Sequence, residues 1–394
     1  MPAPATPEAT RTDWGSVLAA ALSAVGPAMV VAVLGIGLPE IRASLNLSEV
    51  WAGSLFTAIF VVAACASWSA GRLSDNLGRR RVLVFGGLSL GAGFGLVSTV
   101  ESYGAAVAWL ALAGLGYGAI TAAVLSLVSD LLPSRRGLGM GMLSATYGLG
   151  SVSGPVVAAA IIQRFGWRGA TATVGCVAAT IALIQWLRVR EPARLPAAPR
   201  TARARKPRMM NRNMIFLAAA QFFGGSVFWI TSSWTPTFLR EAVKLSLDEA
   251  GLVMAAWGAT PIIGAMVLGT LSDRLGRKRI ILTGAFPGVL VVLAVYGWLT
   301  HPMALAAGIC LLGLCKSPVP SLVVALAQDS AAKGRLGEAS GLIMSMHYVA
   351  AQTTPVAMGL LITRLDSMTL AMLLGSALAF AVFGLLVTSV RERN

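Results

Sequence analysis

The stretch Gly71 to Arg81 reads GRLSDNLGRRR, and the stretch Gly269 to Arg279 reads GTLSDRLGRKR, with eight of the eleven positions identical. The two copies begin 198 positions apart, and each lies between two long apolar stretches. A strongly basic turn between two apolar helices is stable where the turn meets water and lipid headgroups. The sequence therefore predicts a duplicated, membrane-embedded chain, an organisation typical of secondary transporters.

The composition excludes a soluble globular protein. Of the 394 residues, 56% are apolar and 12% are charged, and the mean hydropathy is +0.75. The net charge of +15 lies in turns between apolar segments and not along one polar face, which argues against nucleic-acid binding. Arg11 and Asp13 precede an apolar run that is longer than the core of a cleavable signal, so we expect the first segment to be retained.

Twelve apolar segments are long enough to cross a bilayer, which requires about 20 residues. They lie near 14–38, 50–71, 81–99, 104–128, 137–163, 169–188, 213–239, 249–271, 279–299, 302–328, 337–363 and 367–389. We predict an all-α membrane protein with two six-helix halves, 14–188 and 213–389, and with tails at 1–13 and 390–394. Residues 189–212 are rich in Pro and Arg and are expected to form a flexible linker.

The distribution of basic residues predicts the orientation of the chain. On the side of the two termini the turns carry 24 Lys and Arg side chains, against six on the other side and Lys316 within a span. Because Lys and Arg concentrate on cytoplasmic faces, we expect both termini and the linker in the cytoplasm and the protein in the inner membrane. Asp130 and Asp329, 199 positions apart, each close the fourth span of one half. This spacing supports the same alignment of the two halves and the same assignment of span ends to the two sides of the membrane.

Both basic turns resemble the signature loop of the major facilitator superfamily. The matching residues are Gly71, Asp75, Gly78, Arg79 and Arg80 in the first copy and Gly269, Asp273, Gly276, Arg277 and Lys278 in the second. The resemblance covers essentially the whole chain and implies that Asp75 and Asp273, helped by Arg79 and Arg277, latch onto a helix of the opposite half. A basic cluster that only fixes the orientation is the alternative. Asn76 stands where the family often has a basic residue, which predicts a weaker first latch.

The fifth span contains Gly154 and Pro155 in the segment GSVSGP, which resembles the Gly-Pro motif of drug antiporters in this superfamily. Small residues permit close helix contact and a proline removes one backbone hydrogen bond, which suits a flexing interface. Ala158 and Ala159 replace the glycines that usually follow, and Leu110 replaces the usual arginine of the fourth helix. These departures count against a drug exporter, but a multidrug or metabolite exporter stays the alternative function.

Lys316 lies near the centre of the tenth span, roughly 20 Å from either end at about 1.5 Å per residue. An ammonium group at this depth is costly unless it meets water or a negative partner. None of the sixteen carboxylates falls in the middle of a span, so we expect the substrate, a small organic anion, to supply that partner. A neutral buried lysine or a kink in the span is the alternative.

Further side chains are expected to line the substrate cavity. The offset of 199 that relates Asp130 to Asp329 also relates Lys316 to Tyr117 of the fourth span, whose hydroxyl suits a carboxylate. His347 is able to exchange a proton near neutral pH, and a hydrogen-bonded packing histidine is the equal alternative. The remaining candidates are Tyr348 and Gln352, which share one face of the eleventh span, and Phe228, Trp229 and Gln221 of the seventh.

The sequence thus predicts a secondary-active transporter of a small organic anion, as a proton symporter or an anion exchanger, that functions as a monomer in the lipid bilayer. No GxxxxGK loop, metal-ligand cluster or catalytic constellation is visible, so we expect no ATP use, no metal, no cofactor and no enzymatic activity. A membrane sensor that keeps the fold without transport is the alternative from another class. The short tails show no signalling appendage that would favour it.

Overall fold

The computed structural model describes residues 13–132, 135–191, 210–331 and 336–391, and all regular structure in these ranges is helical. We number the long helices α1 to α12. The first half contains α1 (Trp14–Ile36), α2 (Glu49–Leu77), α3 (Arg79–Leu96), α4 (Tyr103–Leu131) and the stretch Arg136–Arg188, which holds α5 and α6. The second half contains α7 (Arg212–Glu241), α8 (Leu247–Leu275), α9 (Arg277–Leu293), α10 (Pro302–Ser330), α11 (Leu336–Leu365) and α12 (Met368–Thr388).

The lengths of these helices agree with the predicted spans. Within the described ranges, nine helical stretches are long and apolar enough to cross a membrane, and one of them, Leu138–Arg188, has 51 residues. That stretch is twice the length that a bilayer needs. The helices α8 and α11 have 29 and 30 residues and are also long enough to span. The observed helices therefore fit twelve crossings, although a composition test alone identifies fewer.

The 51-residue stretch turns back at Gly166, where the backbone takes a φ of 67° that favours glycine. The Thr146 hydroxyl donates to the Ala21 carbonyl near the start of α1, and the Arg188 carbonyl accepts from Ser16 at the same end of α1. A straight helix would separate two residues 42 positions apart by roughly 60 Å. Thus α5, before Gly166, and α6, after it, are antiparallel.

The two signature turns have the same geometry. The helices α2 and α3 meet at Gly78, where φ is 100°, and α8 and α9 meet at Gly276, where φ is 90°. Residues that carry a side chain rarely adopt such backbone φ angles, so only glycine makes this one-residue turn without strain. We call the end of the bundle that carries Gly78 and Gly276 the signature end. The opposite end, which carries the short helix Leu38–Ser44, is the distal end.

Ion pairs join the two halves at the distal end. Arg42, in the short helix after α1, pairs with Glu241 of α7 at 2.9 Å and with Glu49 of its own half at 3.0 Å. Glu40 pairs with Arg240 in the opposite sense. These side chains are between 22% and 36% exposed, so water screens them only in part. The distal end is therefore held closed by charges of both signs on each half.

Glycines allow the backbones of α2 and α11 to touch at the same end. A Cβ atom on Gly53 would overlap the Pro355 carbonyl, and one on Gly359 would overlap the Glu49 carbonyl. Small residues at membrane-helix interfaces permit this close approach, in which dispersion contacts replace the hydrophobic effect as the attraction. The halves also meet along α5 and α8. The bundle is thus tightly packed from the distal end towards its middle.

Candidate functional site

The helix α10 breaks at Lys316. One segment runs from Pro302 to Lys316 and the next begins at Pro318. A proline lacks a backbone N–H and its ring crowds the preceding turn, so the sequence SPVP interrupts the hydrogen-bond ladder. Ser317 donates its hydroxyl to the Leu314 carbonyl at 2.9 Å within this turn. Interrupted helices near the middle of a membrane bundle commonly form binding sites.

Lys316 is buried, with 6% of its surface exposed. Its Nζ atom lies 3.9 Å from the centroid of the Phe228 ring. Among the described residues no carboxylate pairs with this ammonium group. A cation–π contact contributes about 0.5–2 kcal/mol, whereas a charged side chain at the middle of a membrane helix costs about 2.5–3.5 kcal/mol or more. The contact with Phe228 therefore leaves Lys316 without a sufficient counter-charge.

Aromatic side chains from both halves surround this lysine. Trp229 of α7 lies 4.4 Å from Phe60 of α2 and 5.0 Å from Phe228, measured between ring centroids. Phe228 also stacks on Trp257 of α8 with an interplanar angle of 28°. Nothing in the sequence pointed to Phe60 or Trp257, because apolar residues face both lipid and core in a membrane helix. The predicted residues Phe228 and Trp229 belong to a larger aromatic wall.

His347 of α11 packs against the same rings. Its ring centroid lies 5.9 Å from that of Phe228 and 5.7 Å from that of Trp229. Gly225 of α7 permits this approach, because a Cβ atom there would lie 3.0 Å from His347 Nδ1. That nitrogen is buried and makes no hydrogen bond to any residue in the described ranges. His347 thus lies beside Lys316 with an Nδ1 atom that has no hydrogen-bond partner among the described residues, and its role in proton coupling stays a prediction.

Tyr117 lies in a cluster of tyrosines near the lysine site. Its ring makes an edge contact with Phe60 at 5.3 Å, and its hydroxyl lies near that of Tyr147 of α5. Tyr348 of α11 lies near both tyrosines, with its ring centroid 6.4 Å from that of His347. The ring against Lys316 is that of Phe228, so Tyr117 is not its nearest neighbour. The half-chain offset found Tyr117, a member of the cluster, and Tyr147 was missed because the offset was applied only to Lys316.

The two predicted glutamines have different environments. Gln352 of α11 donates its amide to the Phe60 carbonyl at 3.1 Å, and its backbone carbonyl accepts from Thr57, so it joins α11 to α2. Gln221 of α7 is fully buried, and neither amide atom has a hydrogen-bond partner within the described residues. A buried polar group without a partner costs about 1–3 kcal/mol. A water molecule or ligand that reaches Gln221 would therefore be bound there.

A narrow cleft between the halves reaches the aromatic wall. Its lining includes Ala28, Tyr147, Phe228, Ser232, Met254 and Trp257. The cleft has a volume of about 30 Å³, which is room for one or two water molecules. The Ser232 hydroxyl is buried and lacks a partner in the part of the chain that the structure describes. An organic ligand can therefore reach Lys316 only after Phe228 or the surrounding helices move.

The family model for the Major Facilitator Superfamily matches residues 20–247 and 217–394, which together include both halves. The chain belongs to the Major Facilitator Superfamily. It is therefore a multi-pass membrane protein that transports a small molecule, and it is not an enzyme.

Two bacterial transporters are similar to this chain in sequence. The gallate transporter of Pseudomonas putida is 25% identical over 337 residues, which cover 75% of this chain and 74% of the relative. The 4-hydroxybenzoate transporter of Pseudomonas aeruginosa is 25% identical over 362 residues, which cover 79% of this chain and 78% of the relative. Both similarities extend across the two halves and the linker between them.

A solved structure of a Major Facilitator Superfamily protein shows the same architecture. The bacterial homologue of the human lysosomal transporter Spinster, in an inward-facing and unoccupied conformation, superposes with a TM-score of 0.82. The match covers 97% of this chain and 98% of the other chain at 14% sequence identity. The predicted all-α membrane fold of two similar halves is confirmed by this match and by the family assignment.

The signature arginines of the superfamily motif pair within their own half here. Arg79 pairs with Asp130 near the end of α4 and donates to the Ser126 carbonyl of the same helix. In the second half, Arg277 pairs with Asp329 near the end of α10. Each turn is thus tied to the fourth helix of its own six-helix bundle. Each of these two arginines therefore holds its turn in place through contacts within its own half.

The other signature residues fall into two groups. The side chains of Asp75 and Asp273 lie outside the described part of the structure, so the latch between the halves stays a prediction. Arg80 lies over the Trp186 ring at the end of α6, 4.6 Å from its centroid. Lys278 donates to two backbone carbonyls at the end of α12, at 2.7 and 2.9 Å. Both basic side chains anchor their turn to the sixth helix of their half.

The Gly-Pro segment lies between the two halves. The helix α5 continues through Pro155, and Gly154 faces α1, where an added Cβ atom would lie 2.8 Å from the Ala32 methyl group. The Pro155 carbonyl meets Gly251 of α8, 3.1 Å from the position of a Cβ atom there. Pro155 frees a backbone group at the point where α5 contacts the opposite half. This position suits a helix that bends when the halves move.

Proposed function

We propose that this protein is a monomeric secondary-active transporter that carries a small organic carboxylate across the inner membrane, with its termini in the cytoplasm. The proposal rests on Lys316, a buried ammonium group at a helix break with an aromatic ring against it. A substrate carboxylate supplies the missing charge when the site is loaded. Because breaking a buried charge pair costs about 3–5 kcal/mol, the anion is strongly favoured at this position over a neutral analogue.

Two further observations support the proposal. The gallate and 4-hydroxybenzoate transporters that the chain resembles are named for organic acids, which supports a carboxylate as cargo. The concentration of Lys and Arg on the turns at the signature end supports a cytoplasmic position for that end. The names of the relatives and the positions of the basic residues do not depend on the geometry around Lys316. They therefore support the proposal independently of that geometry.

Coupling to protons is assigned to His347 in this proposal. The imidazole packs on Phe228 and Trp229, beside Lys316, and its Nδ1 atom has no partner among the described side chains. An imidazole that binds a proton together with the arriving carboxylate keeps the net charge of the site the same before and after loading. The proton gradient then drives accumulation of the anion. Exchange of one anion for another, with no role for His347, is the competing mechanism.

Uptake by the purified protein in proteoliposomes tests the cargo. We expect Lys316→Met to reduce uptake of labelled gallate or 4-hydroxybenzoate by about 100-fold or more, as the loss of about 3 kcal/mol implies. Lys316→Arg keeps the charge and should retain part of the activity. Lys244→Met removes an exposed lysine from the loop after α7 and serves as the matched control. Carboxylate uptake by Lys316→Met at the wild-type rate, or transport of cations alone, contradicts the proposal.

A second assay separates symport from exchange. With symport, an inward proton gradient accelerates uptake by the wild type, and His347→Gln loses this acceleration. The same variant should still exchange labelled for unlabelled acid, because that reaction moves no net proton. An equal response of both proteins to the gradient would remove His347 from the coupling step.

A further inference from the structure

Three tyrosines from three helices bring their hydroxyls together beside the lysine site. Tyr117 comes from α4, Tyr147 from α5 and Tyr348 from α11, so both halves contribute to the group. The Tyr117 ring lies 5.3 Å from that of Phe60 and the Tyr348 ring lies 6.4 Å from that of His347, measured between centroids. The Tyr117 and Tyr147 hydroxyls lie near each other, and Tyr348 lies near both tyrosines. Tyr147 and Tyr348 are only half-buried, and Tyr147 lines the cleft between the halves. This tyrosine cluster therefore faces the space that a substrate enters.

A row of rings connects the tyrosine cluster to Lys316. The lysine lies over Phe228, Phe228 contacts Trp229 at 5.0 Å, and Trp229 contacts Phe60 at 4.4 Å. Phe60 in turn contacts Tyr117 at 5.3 Å. The site thus has a cationic end, an aromatic middle and a hydroxyl end. A ligand that fits all three parts carries a carboxylate, a flat apolar body and a second polar group.

The aromatic middle favours a ring in the ligand. The Phe228 ring lies within 6 Å of the rings of Trp229, Trp257 and His347, through edge, stacked and tilted contacts. Aromatic pairs of this kind contribute about 0.5–1.5 kcal/mol beyond the area that they bury. A planar ligand ring can replace one of these contacts when Phe228 moves off the lysine. A flexible aliphatic acid would lose that contribution.

The hydroxyl end favours a neutral hydroxyl over a second carboxylate. A phenol has one proton to donate and two lone pairs to accept, so a cluster of hydroxyls has more acceptor sites than protons. A ligand hydroxyl can donate a hydrogen bond to one of the free acceptor sites, whereas an ionised carboxylate can only accept hydrogen bonds. A second carboxylate would also be a desolvated anion, because Lys316 at the other end is already paired with the first one. The second polar group of the ligand is therefore an uncharged donor.

We propose that the site selects a hydroxylated aromatic monocarboxylate, in which the tyrosine cluster, with Tyr147 as its principal contact, binds the ring hydroxyl. This inference rests on the proposed function, since Lys316 must bind the carboxylate first. Tyr147 is the principal contact because it is the member of the cluster that lines the cleft together with Phe228. The tyrosine cluster then determines which organic acid is carried, and Lys316 determines that it is an acid.

Competition of benzoate, 4-hydroxybenzoate, 3-hydroxybenzoate and terephthalate for one labelled acid tests the inference in proteoliposomes. We expect the wild type to bind at least one hydroxybenzoate about tenfold more tightly than benzoate, and terephthalate more weakly than benzoate. Tyr147→Phe should weaken binding of the hydroxybenzoate more than binding of benzoate and so reduce the preference for the hydroxybenzoate at least fivefold. A purely structural role would weaken all four acids together. Tyr348→Phe provides a second variant of the tyrosine cluster.

Tyr103→Phe is the matched control, because its hydroxyl pairs with Ser54 at 2.7 Å at the distal start of α4, away from the cluster. An unchanged ratio of hydroxybenzoate to benzoate in Tyr147→Phe and Tyr348→Phe overturns the role of the tyrosine cluster while the proposed function stands. Equal affinity of the wild type for benzoate and both hydroxybenzoates does the same. If none of the acids competes, or if Lys316→Met binds all of them like the wild type, the proposed function fails and this inference fails with it.

Discussion

The distal and signature ends of the molecule use the same kinds of charged residue for different purposes. At the distal end, Arg42 pairs with Glu241 and Glu40 pairs with Arg240, so each ion pair crosses from one half to the other. At the signature end, the pairs of Arg79 with Asp130 and of Arg277 with Asp329 each stay within one half. The distal charges therefore hold the halves together, and the signature charges hold each half in shape.

This difference identifies the end of the bundle at which the two halves are closed against each other. The hydrogen bonds between α2 and α11 reach from the distal end to the level of Gln352 and Phe60, near the middle of the spans. If the signature end lies in the cytoplasm, as proposed, a closed distal end shuts the site off from the outside of the cell. Alternating access then requires that the contacts across the distal end break while the contacts within each half persist. Variants at the two ends should accordingly have different effects.

The largest effect is expected from Gly53→Ala at the contact between α2 and α11. The new methyl group would overlap the Pro355 carbonyl, which forces the two backbones apart. Overpacking of this kind costs about 1–3 kcal/mol, and the cost falls only on the distal-closed state. We expect the population open at the distal end to rise by about 5-fold to 150-fold, with a loss of transport of similar size.

A thiol at position 232 in the cleft measures this opening. Ser232→Cys is nearly isosteric, and the four native cysteines are replaced first. A membrane-impermeant reagent added at the distal side should react faster in Gly53→Ala than in the parent. Gly104→Ala adds the same methyl group at the distal start of α4, where nothing lies within 4 Å, and should change nothing. Equal reaction rates in the two alanine variants would show that the glycine contact does not hold the distal end closed.

A smaller effect is expected from Glu40→Arg, which places a positive charge beside Arg240. The pair is about three-quarters buried, at 23% and 26% exposure, so its loss should cost about 1 kcal/mol, at the upper end for exposed ion pairs. The reaction rate at position 232 should rise about fivefold. The double variant Glu40→Arg with Arg240→Glu restores an ion pair of reversed sense and should recover most of the parent rate.

Glu101→Arg is the control for this charge reversal, because Glu101 is an exposed carboxylate at the same end of the bundle. It changes the net charge by the same amount and should not alter the rate.

The variant Asp130→Arg, at the signature end, sharpens the comparison further. It breaks a pair within one half and should leave the reaction at position 232 within about twofold of the parent. A larger change there would mean that the two ends do not act separately.

The sequence was sufficient to predict an all-α membrane fold, and the described helices follow the predicted spans in order and approximate length. Predicted segments such as 104–128 and 213–239 differ by at most a few residues from Tyr103–Leu131 and Arg212–Glu241. The signal is strong because the bilayer imposes a minimum apolar length on every crossing. The break of α10 at Lys316 was considered only as the alternative of a kink in the span, since apolar length does not report whether a helix is continuous. The prolines that follow Lys316 were the available signal.

The site was predicted only in part, for a related reason. Lys316 was identified because a charged side chain is unusual in the middle of an apolar span. Tyr117 was identified because the offset between the two halves relates it to Lys316. Phe60 and Trp257 were not identified, because an aromatic residue is compatible with lipid, core and cavity alike. The ion pairs at the distal end could have been found: Glu40 and Arg240 are 200 positions apart, close to the repeat offset, and carry opposite charges at equivalent helix ends.

The smallest effect is expected from Glu191→Ala, which tests whether contacts at the signature end are confined to one half. The Glu191 carboxylate accepts from the backbone amides of Arg79 and Arg80, at 2.7 and 2.9 Å, and so caps the free N-terminus of α3. Loss of a cap costs about 1 kcal/mol, which should lower the melting temperature in detergent slightly. Transport should stay within about twofold of the wild type, because the cap is equally present in every access state. Glu101→Ala, at an exposed carboxylate of the distal end, controls for the lost charge. A tenfold change in transport at unchanged melting temperature would mean that this cap is broken during the transport cycle, and the signature end would then have to be counted among the moving parts.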